Sequence, residues 1–411
     1  MASIIVHDFS GHAFTVQLAR WLSQQGHAVE YWYCADIESP HGNLVQGPGE
    51  TLVIKGISVG APVGKYSPLQ RARQEMEYGR RAAALLAALK PDVILSNAPP
   101  VVQKRLLRAA KSQGSLFILW LQDIYSSALA QLVKRKSALL AKFIATAARW
   151  YEYSLMRASD RVVCISEDFL SLCAAHGVPE DKLDVVRNWA TLEEIPVLPK
   201  DNVWSRRHGL HDKFVFLFSG TLGLKHDPSM LLGVAEALRD VPETRVVIVS
   251  QGKGRDWLER KKRELGFTNL LLFDYQPHEN LPMILATADV LTPILEPFAG
   301  ELSVPSKVLA YLCAGRTIVA AMPEANLATR IVQEAGAGIV VPAGDRQRFV
   351  AACLAMMQKA SARLEYEANG RAYAERAFDI AQVGGRFLDI FAAAQKGRGR
   401  RNVNVLYITK G

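Results

Sequence analysis

The sequence lacks most of the short signatures that settle a protein's chemistry at sight. It has five cysteines, Cys34, Cys164, Cys173, Cys313 and Cys353, and no two form a CxxC pair. They are odd in number, scattered, and set in apolar contexts such as Arg161-Val-Val-Cys-Ile165. Zinc sites and disulfide frameworks need clustered or evenly matched thiols, so these read as reduced core residues of a cytosolic protein. No GxxxxGK[ST] occurs, which weakens an ATPase, and no GxGxxG follows the first apolar run, which weakens an ordinary dinucleotide-dependent dehydrogenase. There is no Asp-x-Asp, the usual short signature of a metal bridging a sugar-nucleotide diphosphate. No apolar run approaches the ~20 residues that span a bilayer. Met1-Ala-Ser-Ile-Ile-Val-His7 is too short and too polar for a signal peptide.

What is present is a long, well-mixed globular chain. Its 411 residues are 49% apolar and 22% charged, and at ~150 residues per domain they suggest two or three domains. The net charge of +9 favours anionic partners: nucleic acid, anionic lipid or phosphorylated small molecules. The positive charge is dispersed and the aromatics are not interleaved with it, which disfavours nucleic acid.

Short apolar runs alternate with helical stretches throughout. Ser3–His7, Ala28–Tyr33, Pro91–Leu95, Leu116–Trp120 and Arg161–Ile165 read as strands, with a helix from about Phe14 to Gln25 closed by Gly26. The pattern pauses between Glu193 and Arg207, where Pro196, Pro199, Lys200 and Asp201 suggest an interdomain linker. It restarts with Phe214–Phe218, Arg245–Val249, Leu270–Phe273, Val290–Pro293 and Thr317–Ala320. This alternation predicts an α/β fold of two doubly wound, Rossmann-like domains, each a parallel sheet with helices on both faces. The expected divisions are residues 1–195, a linker at 196–208, a second domain at 209–372, a C-terminal helix at 373–395 that packs back on the first domain, and a basic tail at 396–411. The tail, beginning Lys396-Gly-Arg-Gly-Arg-Arg401, is expected to be mobile, or alternatively to touch acidic lipid.

In such sheets ligands bind outside the carboxyl ends of the strands. Four turns of the second domain fall there. Phe218-Ser-Gly-Thr-Leu-Gly-Leu-Lys-His226 offers Gly220, Thr221 and Lys225, and glycine lets exposed backbone N–H groups approach an anion. Asp227-Pro228 then reads as a helix start, with Asp227 capping and Pro228 in the first turn. Gly300-Glu-Leu-Ser-Val-Pro-Ser-Lys307 precedes an apolar helical stretch. The free N–H groups of Ser306 and Lys307, the helix dipole and the Lys307 charge suit a diphosphate there. Val249-Ser-Gln-Gly-Lys-Gly254 and Phe273-Asp-Tyr-Gln-Pro-His278 complete the set. A capped helix or a tight turn with no ligand accounts for any one of these alone; their clustering does not look accidental.

At these residues the sequence resembles a GT-B fold glycosyltransferase of the large retaining group called family 4. Ser219-Gly-Thr-Leu-Gly-Leu-Lys-His226, Ser303-Val-Pro-Ser-Lys307 and Tyr311-Leu-Cys-Ala-Gly315 resemble a subgroup that builds bacterial surface polysaccharides. Ala335-Gly-Ala-Gly338 with Pro342-Ala-Gly-Asp345, Ala158–Ser166 and Val186–Trp189 fit the same pattern. The resemblance implies two domains facing across a cleft and a nucleotide-sugar donor, such as a UDP-sugar, bound mainly by the second. The donor is a substrate, and neither a cofactor nor a metal is implied. Lys225 would face the diphosphate, and Ser303, Val304, Pro305, Ser306 and Lys307 would line the phosphates and donor sugar. Gln251, Tyr275 and Gln276 would contact the base. Gly11 and His12 match the glycine loop of the first domain, and Asp123 falls where the family places a catalytic polar residue. His7 and Asp8 share the strand end with His12 and compete for its role.

Many members carry two glutamates seven residues apart. Ala310 stands where the second is expected, and neither Glu296 nor Glu301 restores the spacing. Two alternatives therefore stay open: a sugar-nucleotide epimerase of the same fold, and a non-catalytic GT-B partner subunit. The acceptor implied is a saccharide or a polyprenyl-linked sugar. Lys134-Arg-Lys136 and Lys142 flank an apolar stretch, Leu139 to Ala148, before Arg149-Trp150-Tyr151. Such a basic amphipathic segment suits an anionic membrane face on the cytoplasmic side, or an ordinary surface helix.

Overall fold

The computed structural model describes residues 1–37, 42–64, 67–126, 138–223, 225–299 and 306–398. The chain divides into two compact units: residues 1–188 with the segment from 380 onward, and residues 189–379.

The first unit is built on a parallel sheet of seven strands: β1 (Ser3–Asp8), β2 (Ala28–Cys34), β3 (Val53–Ile57), β4 (Val93–Asn97), β5 (Leu116–Leu121), β6 (Arg161–Cys164) and β7 (Leu183–Val185), in the order β3-β2-β1-β4-β5-β6-β7. β4 and β5 are buried along their whole length, as a strand covered on both faces must be, which is why they read as unbroken apolar runs. β3 escaped the sequence reading because it is a sheet edge, and Lys55 and Gly56 interrupt its apolar character. The strand order reverses between β1 and β4, where Asp8 pairs with Asn97. Such a reversal opens a crevice at the carboxyl ends of the two strands.

The second unit carries a parallel sheet of six strands: β8 (Phe214–Ser219), β9 (Thr244–Val249), β10 (Leu270–Phe273), β11 (Val290–Leu291), β12 (Thr317–Ala321) and β13 (Gly338–Val341), in the order β10-β9-β8-β11-β12-β13. Phe216, Phe218, Val246 and Ile248 fill one side of its core, each contributing about 1.5–3 kcal/mol on full burial. The reversal here lies between β8 and β11. The glycine-bearing turns after β1 and after β8 thus hold equivalent topological places.

Residues 196–208, expected as a linker, are not free chain. Asn202 and Ser205 form a reciprocal capping box that starts the helix Val203–Arg207, and Trp204 is buried with its ring 5.5 Å from that of Phe273. The prolines that suggested a linker stop just short of this cap. At the far end, helix Ala360–Ala377 ends within the second unit and helix Ile380–Gly397 belongs to the first, where Phe387 packs 4.9 Å from Trp120. The described start of the basic tail is docked rather than loose: Arg398 holds Asp160 through two bonds of 2.6 Å and donates to the Gly114 carbonyl. Residues 399–411 lie outside the described residues. All five cysteines are buried thiols.

Candidate active site

In the second unit three of the four turns singled out by sequence, those after β8, β9 and β10, are joined by specific bonds. The turn after β8 begins at Gly220, whose φ of +133° only glycine adopts without strain, and its N–H donates to the Val249 carbonyl at 3.0 Å. Leu222 ties it to the turn after β9: its N–H donates to the Gln251 carbonyl and the Ser250 hydroxyl, and its carbonyl accepts from Gly254. Gly252, at φ +109°, is pressed against that same carbonyl, where a Cβ would come within 3.0 Å. Thr221 and Tyr275 share a hydroxyl–hydroxyl hydrogen bond, which brings in the turn after β10. Gln276 bonds the Asp274 carbonyl, while the Gln251 side chain is exposed.

The helix Ser306–Cys313 closes the group. Tyr311 is fully buried; its hydroxyl donates to the Ser219 carbonyl at 3.0 Å and accepts from the Ser219 N–H at 2.9 Å. One turn earlier Lys307 points the same way. Its Nζ lies 4.3 Å from the centre of the Phe218 ring, donates to His226 Nε2 at 2.9 Å, and its side chain runs beside Gly220. No carboxylate pairs with Lys307 among the described residues. Burial pushes its ammonium down to about 7. Burial, with the Lys307 charge, holds His226 down at about 3, so this imidazole is neutral and can accept the lysine's proton bond. The result is a half-buried lysine without a carboxylate partner among the described residues, beside a glycine backbone.

Lys225 is exposed, and its carbonyl accepts from the Glu296 N–H at 2.8 Å. Burial and the charge of Asp227 raise the Glu296 carboxyl. Asp227 binds the N–H and hydroxyl of Ser229 at 2.9 and 2.8 Å, one residue off the expected cap because helix Ser229–Ala237 starts after Pro228. Ala310 sits half-buried in the helix that bears Lys307 and Tyr311. Ser303, Val304, Pro305 and Glu301 lie outside the described residues.

The first unit holds a different cluster at the end of β1. Asp8 is 1% exposed, yet it accepts bonds from the His12 N–H (2.6 Å), the His12 Nδ1 (2.8 Å), the Thr15 hydroxyl (2.8 Å), the Ser10 N–H (3.2 Å) and the Asn97 amide (3.0 Å). Burial would raise its carboxyl, but the His12 charge and these donors outweigh it and hold Asp8 down at about 2. Burial likewise opposes the charge on His12, and Asp8 and, more weakly, Asp123 overcome it and raise the imidazole. The side chain of His12 remains 42% exposed, with Nδ1 held by Asp8 and Nε2 on the other edge of the ring. Gly11 turns the chain at φ +72°, its N–H bound to the Asp8 carbonyl at 3.2 Å. Asp123 is exposed just beyond β5. His7 is buried between Ser96 and Tyr78, and burial lowers it to about 4 despite the neighbouring Asp8 charge, so it is a neutral core residue.

Sequence reasoning named the loops but missed Tyr311 and His226, and left Asp8 as a competitor of His12 when it is the residue that holds it. The i, i+4 spacing of Lys307 and Tyr311 places both on one helix face and was a usable signal. Among the described residues no three His, Cys, Asp or Glu side chains converge as a metal-ligating group.

Comparison with known proteins agrees with this geometry. Residues 11–189 match the model of a glycosyl transferase 4-like domain, and residues 213–359 that of the glycosyl transferases group 1. The chain is 27% identical to the "Putative colanic acid biosynthesis glycosyl transferase WcaI" of Escherichia coli K12, over 73% of this chain and 74% of that one. It is 25% identical to the "Probable glycosyltransferase WbjE" of Pseudomonas aeruginosa, over 65% of this chain and 64% of that one. Among solved structures it resembles Anabaena HepE in complex with UDP, at a TM-score of 0.70 and 13% identity, over 95% of this chain and 100% of that one. With both halves matched in order along most of its length, the chain belongs to the GT-B fold, family 4-type glycosyltransferases and is a glycosyltransferase.

Proposed function

We propose that the enzyme moves a sugar from a nucleotide-sugar donor, a UDP-sugar, to a saccharide or lipid-linked acceptor in polysaccharide biosynthesis, with retention of configuration and without a metal. The observation that carries the donor reading is Lys307: a half-buried ammonium with no carboxylate partner among the described residues, beside Gly220, where the turns after β8, β9 and β10 are bonded together. Support for the base comes from HepE, whose solved complexes contain UDP and UDP-glucose. Support for the pathway comes from the colanic acid assignment of WcaI.

In this reading the diphosphate lies on Gly220, Thr221 and Lys225, on Ser306 and Lys307 at the start of helix Ser306–Cys313, and on Ser303, Val304 and Pro305 before them in the sequence. Preorganised N–H groups and two lysines meet the charge that builds on the leaving diphosphate. Tyr275, Gln276 and Gln251 hold the base. On the first unit, Gly11 turns the chain and His12, oriented by Asp8, offers its Nε2 edge. Asp123 orients the acceptor, whose proton the departing phosphate accepts. The proposed place of action is the cytoplasmic side, by peripheral contact with a membrane; no described helix is long and apolar enough to cross one.

A thermal-shift screen with UDP, GDP and ADP tests the donor. Stabilisation by UDP above the other two is expected, and it should shrink in Lys307→Ala. A response to no nucleotide would overturn the reading.

A further inference from the structure

Glycine serves two purposes in the first unit, and the backbone tells them apart. Gly11 and Gly49 turn the chain at φ +72° and +75°, angles that other residues rarely adopt. Gly42 lies outside that region, so its backbone does not call for glycine. What it lacks is room. A Cβ at position 42 would lie 2.4 Å from the Cα of Ala13 and 3.0 Å from its nitrogen, and no rotamer change can move those backbone atoms. The glycine is there because two backbones cross in contact. They are also bonded: the Gly42 N–H donates to the Gly11 carbonyl at 3.0 Å. Gly42 thus touches the residues on both sides of His12.

The stretch that delivers Gly42 lies between β2 and β3 and is fixed to the helix that follows His12. Arg20 of helix Ala13–Gln24 donates to Glu50 at 2.7 Å and to the Val45 carbonyl at 3.0 Å, and the Ser23 and Thr51 hydroxyls share a bond of 2.7 Å. Glu50 also accepts from the Gly47 N–H at 2.7 Å, closing the turn that Gly49 makes. Pinned at Arg20 and Ser23, this strap does not lift freely from the turn beneath Gly42. His12 depends on close placement, because its N–H and its Nδ1 both reach Asp8 Oδ2, at 2.6 and 2.8 Å. A shift of a few tenths of an ångström loosens both bonds. Among the described residues, the charged groups that face His12 are Asp8 from β1 and, more weakly, Asp123 beyond β5; the Phe14 ring stacks on it at 5.6 Å.

We propose that Gly42 is a positioning residue: the strap from Gly42 to Thr51 presses it onto the turn after β1, and that contact holds His12 on Asp8. The proposal deepens the part given above to His12 and Asp8 and rests on that reading. A strap that merely covered the helix would accept a methyl group at position 42 with some loss of stability. A strap that sets the turn passes the displacement on to His12.

NMR titration of isotope-labelled histidine in the full-length protein reads this contact without donor or acceptor, with His12 assigned by its loss in His12→Gln. Gly42→Ala should lower the His12 pKa by about one unit, a part of the 1–3 units that an adjacent opposite charge is worth. In an Asp8→Asn background the same substitution should add almost nothing, because changes that act through one contact do not add. Arg20→Gln, which unpins the strap without crowding the turn, should lower the pKa less and in the same direction. Gly49→Ala, strained at φ +75° with open space around it, should cost stability and leave His12 at the parent's pKa. An unmoved His12 in Gly42→Ala, a shift just as large in the Asp8→Asn background, or an equal shift in Gly49→Ala would each overturn the proposal. UDP affinity should match the parent's throughout, since the strap and the donor turns belong to different units. The kcat profile for UDP release from UDP-glucose then tests His12 itself, and its basic limb should follow the shifted pKa in Gly42→Ala. A shifted pKa with an unmoved limb would overturn the role of His12 in transfer and leave the strap's hold on it standing.

Discussion

The two units meet the same topological problem, a crevice where the strand order reverses, and fill it with opposite electrostatics. In the second unit the crevice beside β8 holds Lys307, a half-buried lysine with no carboxylate partner among the described residues. In the first, the crevice beside β1 holds Asp8, an anion satisfied by five close donors and lending its charge to His12. One site is incomplete without a ligand and the other is complete before the ligand arrives. Under the proposed function, the site of the second unit binds and that of the first orients. Perturbation of a binding cation should cost affinity and turnover together. Perturbation of an orienting anion should change the pH dependence and the rate while leaving nucleotide affinity nearly intact.

The largest effect is expected from Lys307→Ala. Loss of one preorganised charge aimed at a developing anion costs on the order of 10²–10³-fold in turnover, read as UDP release with an acceptor present; a folded variant with parental activity would break the contrast at its stronger pole. Next comes Asp8→Asn. With the carboxylate charge gone, only the weaker charge of Asp123 offsets burial at His12, and its pKa falls. The cationic form that Asp8 supports exists below the His12 pKa and is lost as pH rises through it. The basic limb of the kcat profile should therefore move to lower pH, with kcat down by about 10–100-fold and UDP affinity little changed. An unshifted limb, with UDP affinity lost instead, would make Asp8 a folding residue. Tyr311→Phe should leave both poles chemically intact but unfasten the turn that carries Gly220. Its two bonds to Ser219 are lost, and about 1–3 kcal/mol of stability goes with them; a denaturant midpoint equal to the parent's would contradict the clamp. Smallest is Tyr275→Phe, which removes a partly exposed bond to Thr221 and should weaken UDP binding by only about 2–10-fold.

The sequence shows the two poles unequally, for physical reasons. The strands were legible because sheets covered on both faces demand unbroken apolar runs, as in Leu116–Leu121. Glycines mark the turns at the strand ends, because Gly220 and Gly252 adopt backbone angles that other residues avoid. The bonds that lock those turns were hidden. Tyr311 reaches Ser219 across 92 positions and Lys307 reaches His226 across 81, and no local pattern announces such pairs. Asp8 is visible as an acid ending a strand, but its role depends on Asn97, which the sheet brings from 89 positions away. The helix Val203–Arg207 was taken for linker because Pro196 and Pro199 are stronger signals than a capping box built from Asn202 and Ser205.

The proposed donor site turns on Lys307 as the cation that meets the diphosphate. Isothermal titration of UDP into the parent protein and Lys307→Ala, from pH 7 to pH 8.5, tests it most directly. With its free-state pKa pushed to about 7, Lys307 must take up a proton to bind an anion as pH rises. The parent's affinity advantage over the variant should therefore be greatest near pH 7 and shrink toward pH 8.5. Equal affinities at pH 7, or an advantage that does not change with pH, would contradict it.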